Sequence, residues 1–495
     1  MPANRFGVGW TVHGDGRPPA PGVSVRPDER LSWPLTAALG MQHVVAMFGA
    51  TFVFPTVMGL NANLAVMMSG LATVVFLLVT KGKVPSYLGT SAAFVGAVAA
   101  IRAGGGDTPT VLGAIVISGL VMAGIGLLVH FIGPRVIHRL FPPAVSGAVV
   151  LLIGFNLAPV VAHTYWPQDQ WVALATTAVV IAASALLRGV WARIGVFLGL
   201  LFGFASSWLL DLLTGPLTGP DATGKVTEHY RVDLSGVTGA DWFGLPQLHE
   251  PAFQTSAVLL ALPALIALIA ENTGHVKAVA EMTGTDLDSS MGRAIAADGM
   301  ATAMSSAVGG APTTTFAENI GVMTATRVYS TAAYWVAATV AVLFGLCPKF
   351  GALVAAVPGG VLGGITVVLY GMIGLMGAQI WITNRVDFTD PVNLLSIAAG
   401  AVMGIGGVSL QLSDSFTITG IALGTIATLL TYHFLRFCKN RTAAPEPGTT
   451  SEPPRSRTAR RPPRSVERAA PPEQSRLCGG ELKCSAAPSH PPAER

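Results

Sequence analysis

Charge is what this sequence has least of: 11% of its 495 residues are Asp, Glu, Lys or Arg, where a soluble domain carries about a quarter. With so little polar surface to cover a core, an ordinary soluble fold is excluded. Cysteine is scarce as well, four in the chain, which excludes a disulfide-stapled secreted module. The 57 glycines follow no fixed period, so a collagen-like array is excluded too. The sequence holds no HExxH metal motif, no Gly-rich nucleotide loop ending in Gly-Lys-Ser/Thr and no evident nucleophile–base pairing. Enzyme chemistry is therefore not expected, no metal or other cofactor is called for, and transport powered by ATP would need a separate subunit.

What is present is apolar: 51% of residues are hydrophobic and the mean hydropathy is +0.57. The reading is an all-α polytopic membrane protein. The formal charge of +4 belongs to one end. From Arg436 onward there are twelve Lys/Arg and six Asp/Glu, so the tail is +6 and the remainder −2. That Arg/Pro mixture has no interleaved aromatics, so no nucleic-acid partner is expected. Residues 437–495 read as a disordered cytoplasmic tail, too poor in apolar residues to bury a core, with contact to anionic lipid through its arginines as the alternative to a plain solvated extension. Cys438, Cys478 and Cys484 lie in or beside it, in no metal-binding spacing.

Residues 1–32 are polar and lack the apolar core and cleavage site of a signal peptide, so they read as a cytoplasmic N-terminal segment. Apolar stretches long enough to span about 30 Å of hydrocarbon follow. Clear ones fall near 35–58, 62–80, 109–132, 143–162, 169–187, 194–214, 254–280, 330–347, 392–410 and 416–436. Stretches at 84–101, 290–308, 311–327 and 356–381 are interrupted by Gly, Pro, Ser and Thr or carry charges. Together they predict about fourteen spans. Lys81, Lys83, Arg135, Arg139, Arg188, Arg193, Arg385 and the Arg436–Arg441 cluster all fall on one side, which the positive-inside rule makes the cytoplasm, together with both termini. The expected location is the plasma (inner) membrane.

The polar connection 215–252, placed outside, separates two halves, 33–214 and 253–436, of about seven spans each. An odd number per half inverts the second relative to the first, the arithmetic of an inverted repeat. Pro142-x-x-Val145-x-Gly147-Ala148-Val149 is echoed by Pro358-x-x-Val361-x-Gly363-Gly364-Ile365. The third span of each half is broken, at Pro85–Phe94 and Pro312–Asn319, giving broken third and tenth spans. Non-helical chain at mid-depth must line a cavity because lipid satisfies no backbone group. A half-helix starting there aims its free N–H groups into that cavity. Close helix packing by small residues is the alternative, and it leaves the neighbouring charges unexplained.

Those charges carry the most information. Glu271 follows the apolar run Val258–Ala270, and His275, four residues on, shares its face. Glu318 and Asn319 open the second half of the broken tenth span. An ionisable side chain at bilayer depth costs about 2.5–3.5 kcal/mol by insertion scales and usually faces the bundle interior for a functional reason. A structural Glu–His pair is the alternative for Glu271 and His275. His43, in the first span, reads as a cavity group or a core histidine. Asp298 reads as a second proton site or a helix–helix bond. Two carboxylates, an amide and free N–H groups suit a flat neutral solute with N–H and C=O on one edge, such as a pyrimidine-dione or an oxopurine. An inorganic anion would be repelled by Glu271 and Glu318, and a proton can serve as the coupling ion.

The run Glu318-Asn319-Ile320-Gly321-Val322-Met323-Thr324-Ala325-Thr326-Arg327 resembles the signature of the nucleobase–ascorbate transporter family, also called nucleobase:cation symporter-2. Gln42–Thr51, Tyr87–Ser91 and Glu271-Asn272-Thr273-Gly274-His275 look similar to further motifs of that family, and the match covers about residues 30–436. The Glu-Asn form resembles uracil and other pyrimidine permeases more than xanthine carriers.

The resemblance implies a seven-plus-seven inverted repeat with spans 1–4 and 8–11 as a core domain, spans 5–7 and 12–14 as a gate domain, and substrate between them. It implies that Glu271 bonds the ring N–H and neighbouring carbonyl and that Glu318 and Asn319 hold the other edge. Backbone near Ala92 and Ala317 would meet carbonyl oxygens, and Phe316 would pack beside the base. Glu271, His275, His43 and Glu318 would form the proton-coupling network. A homodimer through gate-domain surfaces follows from the family. Ala92 stands where these permeases commonly have Phe and Ala317 where many have Gly, so the pocket would be wider and stacking weaker. The expected function is proton-coupled import of uracil or thymine by alternating access. The alternatives are a xanthine or uric acid permease of the same family, or an anion transporter of the same architecture.

Overall fold

Four helices begin at an Asx cap, where a short side-chain oxygen takes up a backbone N–H that the helix leaves free. Asn61 caps α2 (Ala62–Val79) through Leu64 N at 3.0 Å, and Asp107 caps α4 (Thr108–Ile132) through Thr110 N at 2.9 Å. Asp169 caps α7 (Gln170–Leu186) through Val172 N at 3.1 Å, and Asp390 caps α16 (Pro391–Ile405) through Val392 N at 3.1 Å. The polar residues that punctuate the apolar runs are thus what start the helices. The computed structural model describes residues 9–20, 22–133, 135–188, 191, 194–221, 224–413 and 416–442. Most of the expected C-terminal tail, with Cys478 and Cys484, lies outside the described residues, and Met1–Thr442 form one compact unit.

Two short strands, β1 (Thr11–Val12) and β2 (Glu29–Arg30), precede α1 (Trp33–Val57) and α2. The third apolar stretch is a strand, β3 (Leu88–Thr90), a 3₁₀ turn, and α3 (Val95–Ala103). After α4 come α5 (Arg135–Leu140), α6 (Pro143–Phe155) with a π-helical and 3₁₀ continuation to Gln168, α7, and α8 (Gly195–Thr214). A β4–β5 hairpin (Leu217–Pro220, Val226–His229) follows.

The second half runs α9 (Thr255–Ala261), α10 (Ala264–Thr283), α11 (Asp288–Ala307), β6 (Thr313–Thr315), α12 (Ala317–Thr326), α13 (Thr331–Gly345), α14 (Pro348–Ala355), α15 (Gly359–Thr383) and α16. A β7–β8 hairpin (Ser409–Ser413, Phe416–Thr419) then leads to α17 (Gly420–Thr442). Expected spans 392–410 and 416–436 both ran into this hairpin. Gly407, at φ 66°, turns the chain after α16, and the Ser/Thr-rich stretch that follows favours strand over helix.

Among the described residues, eight helices are long and apolar enough to cross a bilayer. A pair bent by 81°, Thr331–Gly345 with Pro348–Ala355, makes a ninth, and three shorter apolar helices add to these. The packing is built from small residues. Gly119 and Gly126 of α4 lie against the backbone of Gly299, Ala303 and Ala296 in α11, with no room for a Cβ. Gly70 of α2 lies against the Ala338 carbonyl in α13, and Gly345 of α13 against Met67 in α2. Likewise α6 and α15 meet through Gly147, Gly154, Gly374 and Gly377. Backbones this close gain dispersion contacts that larger side chains would prevent.

The two broken segments pair with each other. β3 and β6 are antiparallel, with Leu88 opposite Thr315, Gly89 opposite Thr314 and Thr90 opposite Thr313. The ladder is extended by Ser91 N to Pro312 O at 2.8 Å and Phe316 N to Tyr87 O at 3.0 Å. Every residue from Tyr87 to Thr90 and from Thr313 to Phe316 is buried. Buried non-helical chain is tolerated because the strands satisfy each other's facing groups while threonine hydroxyls of the neighbouring helices take outward ones, Thr73 Oγ1 accepting from Leu88 N at 2.9 Å and Thr302 Oγ1 from Thr313 N at 3.1 Å.

Candidate functional site

At the end of the β3–β6 ribbon two helices start side by side. Ser91 Oγ accepts from Ala93 N at 3.3 Å, starting the turn that leads into α3. Phe316 precedes α12 with no side-chain cap, so the first N–H groups of α12 are left to whatever lies in front of them. Between these starts is a cavity of about 50 Å³. Glu271, Glu318, Thr90, Ala92, Thr314, Phe316 and Ala317 line one side of it. Ala50 and Phe54 of α1, Val150 and Ile153 of α6, and Ile373 and Met376 of α15 complete the wall. The Glu271 carboxylate is close enough to interact with those of Glu318 and Asp298. Among the described residues no Lys or Arg lines the cavity, and no three His, Cys, Asp or Glu side chains are grouped to hold a metal. Larger clefts, of about 460 and 580 Å³, lie among loops and helix ends away from both glutamates.

Of the residues singled out from the sequence, Glu271, Glu318, Ala92, Phe316 and Ala317 converge on this cavity. Asn319, His43 and His275 stand behind it, all buried. The Asn319 amide meets His43 Nδ1 at 3.1 Å and donates to the His43 carbonyl at 3.0 Å. The His43 ring packs against Tyr334 at a tilt of 35°, with centroids 4.4 Å apart. His275 Nδ1 pairs with Thr315 Oγ1 at 2.8 Å. Asp298, also buried, accepts from Asn272 Nδ2 at 3.2 Å, a helix–helix bond beside the site. Sequence reasoning missed Thr90 and Thr314 and the whole apolar wall from α6 and α15. The Pro142/Pro358 echo marks the starts of α6 and α15, yet which face of each meets the cavity depends on their pairing.

Phe316 is packed rather than free: a Cβ on Gly89 would run into its ring. Glu318 is exposed and Glu271 half-buried, and from them exposed positions continue along the same faces, Gly274, Lys277 and Glu281 on α10 and Gly321, Thr324 and Ala325 on α12. A Cβ on Gly274 or Gly321 would meet nothing. The cavity is therefore open toward the C-terminal ends of α10 and α12. Phe54 and Ile153 of its wall are buried.

Residues 35–413 match the Permease family. A putative pyrimidine permease, RutG, of Escherichia coli (strain K12) is 45% identical over 413 residues, 82% of this chain and 90% of the relative. A uracil permease of Bacillus caldolyticus is 36% identical over 408 residues, 79% of this chain and 90% of the relative. Among solved structures, murine Solute Carrier 26 family member A9, an anion transporter in the inward-facing state, superposes with a TM-score of 0.61 over 82% of this chain and 69% of its own, at 10% identity. A second SLC26A9 structure gives 0.60 at 11% identity, and the chain spans 66% of its length. At such identities the likeness is one of fold.

Proposed function

This chain belongs to the permease family of nucleobase:cation symporters, an integral membrane transporter and not an enzyme, and on that premise we propose that it imports uracil in symport with protons. One observation carries the reading. Glu271 and Glu318 meet at a single cavity, at the uncapped start of α12, and among the described residues no cation lines it. Paired carboxylate acceptors and N–H donors match the alternating N–H and C=O edge of a pyrimidine-dione, and they oppose an anion. The names of the relatives, uracil and pyrimidine permeases, agree with that chemistry.

Fourteen spans in a seven-plus-seven inverted repeat are part of the proposal. The long helices, the bent pair, the three shorter helices, α11 and the broken β6–α12 segment supply that number. Support comes from mirrored packing: α4 against α11 and α2 against α13, with α6 and α15 facing each other across the repeat. Each of α6 and α15 also follows an extended proline cap, Pro142 or Pro358, and a short helix.

In this reading spans 1–4 and 8–11 are the core and spans 5–7 and 12–14 the gate. The cavity has core residues on one side and Val150, Ile153, Ile373 and Met376 of the gate on the other. Sliding the gate wall past the glutamates would open the cavity to alternate faces. With both termini placed in the cytoplasm, the open track along α10 and α12 faces inward. His43 and His275, through Asn319 and Thr315, would hold the network that couples protonation of Glu271 and Glu318 to binding. The exposed apolar face of α8, with Leu201, Phe202, Leu209, Leu212 and Leu213, would meet lipid or a second copy.

The test is uptake of labelled uracil and labelled xanthine, side by side, in permease-deficient cells expressing the chain, with and without a protonophore. Protonophore-sensitive uracil uptake is expected. Xanthine accumulation instead would keep the mechanism and assign the preference to the space left by Ala92. Entry of neither, with the protein confirmed in the membrane, would overturn the reading.

A further inference from the structure

The polar residues before the first span are joined to the helix that carries Glu318. The β1–β2 ribbon pairs Thr11 with Glu29 and Val12 with Arg30. From there the chain is zipped onto the corner between α12 and α13. Val25 N–H donates to Arg327 O at 2.9 Å, Tyr329 N–H to Val25 O at 2.9 Å, and Thr331 N–H to Pro27 O at 3.1 Å, in a parallel bridge of Val25 with Val328. The Thr331 hydroxyl donates to Pro27 O at 2.8 Å, and the Trp10 indole N–H donates to Thr331 Oγ1 at 2.7 Å. Val25, Leu31 and Val328 form a small apolar cluster of their own, packed on Leu35 and Leu39 of α1. This is strand addition to a loop, with backbone bonds and alternate side chains used as in peptide recognition.

The corner it grips is an unusual one. Arg327 ends α12 at φ 53°, the left-handed conformation that glycine takes without penalty and that a Cβ disfavours. Its carbonyl is the acceptor for Val25. α12 has ten residues, too few for a helix to hold itself, and Glu318 stands in its first turn at the cavity. The pose of that turn therefore depends on how the far end is anchored.

We propose that the N-terminal segment around Trp10–Leu31 is a positioning strap: by fixing the Arg327 corner it sets the pose of α12 and so of Glu318. The strap bonds to Arg327, Tyr329 and Thr331 and packs on α1, all parts of spans 1, 10 and 11 of the core in the reading above, so it travels with them through the cycle. The role assigned to Glu318 rests on the transport reading above; the grip on α12 does not.

The experiment uses the full chain in membranes. Val25→Pro removes the N–H given to Arg327, while Val25→Ala keeps every backbone bond and serves as control. Val25→Pro should raise the KM for uracil about tenfold at an unchanged amount of protein in the membrane, as a displaced binding group does. Adding Arg327→Gly, which relaxes the corner, should restore most of the affinity. A second readout needs no substrate: a cysteine placed by Ala325→Cys, on the exposed face of α12, should be labelled by a thiol reagent at a rate that Val25→Pro changes several-fold. Wild-type KM together with an unchanged labelling rate would overturn the strap. If the wild-type chain takes up neither uracil nor xanthine, the transport reading fails and the labelling rate still decides the strap. If Val25→Pro does not reach the membrane, Trp10→Ala, which deletes one side-chain bond, is read in the same two ways. Oxidising a Val25→Cys/Val328→Cys pair should leave transport intact; arrest on oxidation would show a gate that must release and would overturn a strap that stays attached.

Discussion

Asn319 and His43 hold each other in one geometry. The Asn319 Nδ2 lies 3.0 Å from the His43 carbonyl oxygen, so it must be the donor there, and the same nitrogen lies 3.1 Å from His43 Nδ1. The ring nitrogen is then the acceptor, which puts the imidazole proton on Nε2. This pair joins the first span to the residue after Glu318, so the second glutamate of the cavity is placed by a histidine that never touches the cavity.

Removing the ring should show this. His43→Ala leaves the buried Asn319 amide short of a partner, a loss of about 1–3 kcal/mol. The expected result is a lower melting temperature of the purified protein together with weaker uracil uptake. His43→Gln, which can return an acceptor, should recover part of both.

The two glutamates should behave differently from the residues behind them. Glu271→Gln or Glu318→Ala should reduce uptake by about 10–100-fold each, the value of a charge-assisted hydrogen bond or two, with normal amounts of protein in the membrane. Normal uptake by both variants would remove the cavity as the binding site.

Ala92 sets the room available. Ala92→Phe should narrow the cavity and add a ring face beside the base, worth about 0.5–1.5 kcal/mol when rings pack well. Competition of unlabelled uracil, thymine and xanthine against labelled uracil should then show inhibition by xanthine falling most, because the bicyclic base needs the space.

Glycines at two kinds of site should part company. Gly299→Val places side-chain atoms into the backbone of α4 at Ala123 and Gly119, where overpacking costs about 1–3 kcal/mol or more; the protein should be depleted from the membrane. Gly274→Ala, whose Cβ meets nothing, should be made in normal amounts.

Arg231 fixes the 215–252 connection to the membrane helices. It bonds Asp169 at 2.8 Å and Asp211 at 3.1 Å, and its side chain is 11% exposed. Burial alone would lower its pKa; the hydrogen bonds and charges of Asp169 and Asp211 outweigh that and raise it. A raised cation pKa gives stability that is whole below the unfolded value and is lost only as pH climbs through the folded one, so this link should be insensitive to pH in the neutral range. Arg231→Ala leaves two carboxylates facing each other and should cost about 1–3 kcal/mol, discounted from the deep-interior value because water is near. Thermal melts at pH 6 and 8 should show the same loss.

Hydropathy and breaks are local properties, and so the sequence alone determined that the chain is built of long apolar helices, that its third and tenth apolar stretches are interrupted, and that Glu271 and Glu318 stand beside those breaks. Those expectations needed only the cost of a charge or a free backbone group in hydrocarbon. Pairing is not local. That β3 and β6 satisfy each other, that Asn319 turns to His43 and His275 to Thr315 rather than to the cavity, and that Ile373 and Met376 supply its far wall was decided by the tertiary structure. So was the fate of the N-terminal residues, which read from the sequence as a polar cytoplasmic segment and are bonded to the Arg327 corner. In each case the partners lie far apart in the chain, as His43 and Asn319 do at a separation of 276 residues, and only the folded chain brings them together.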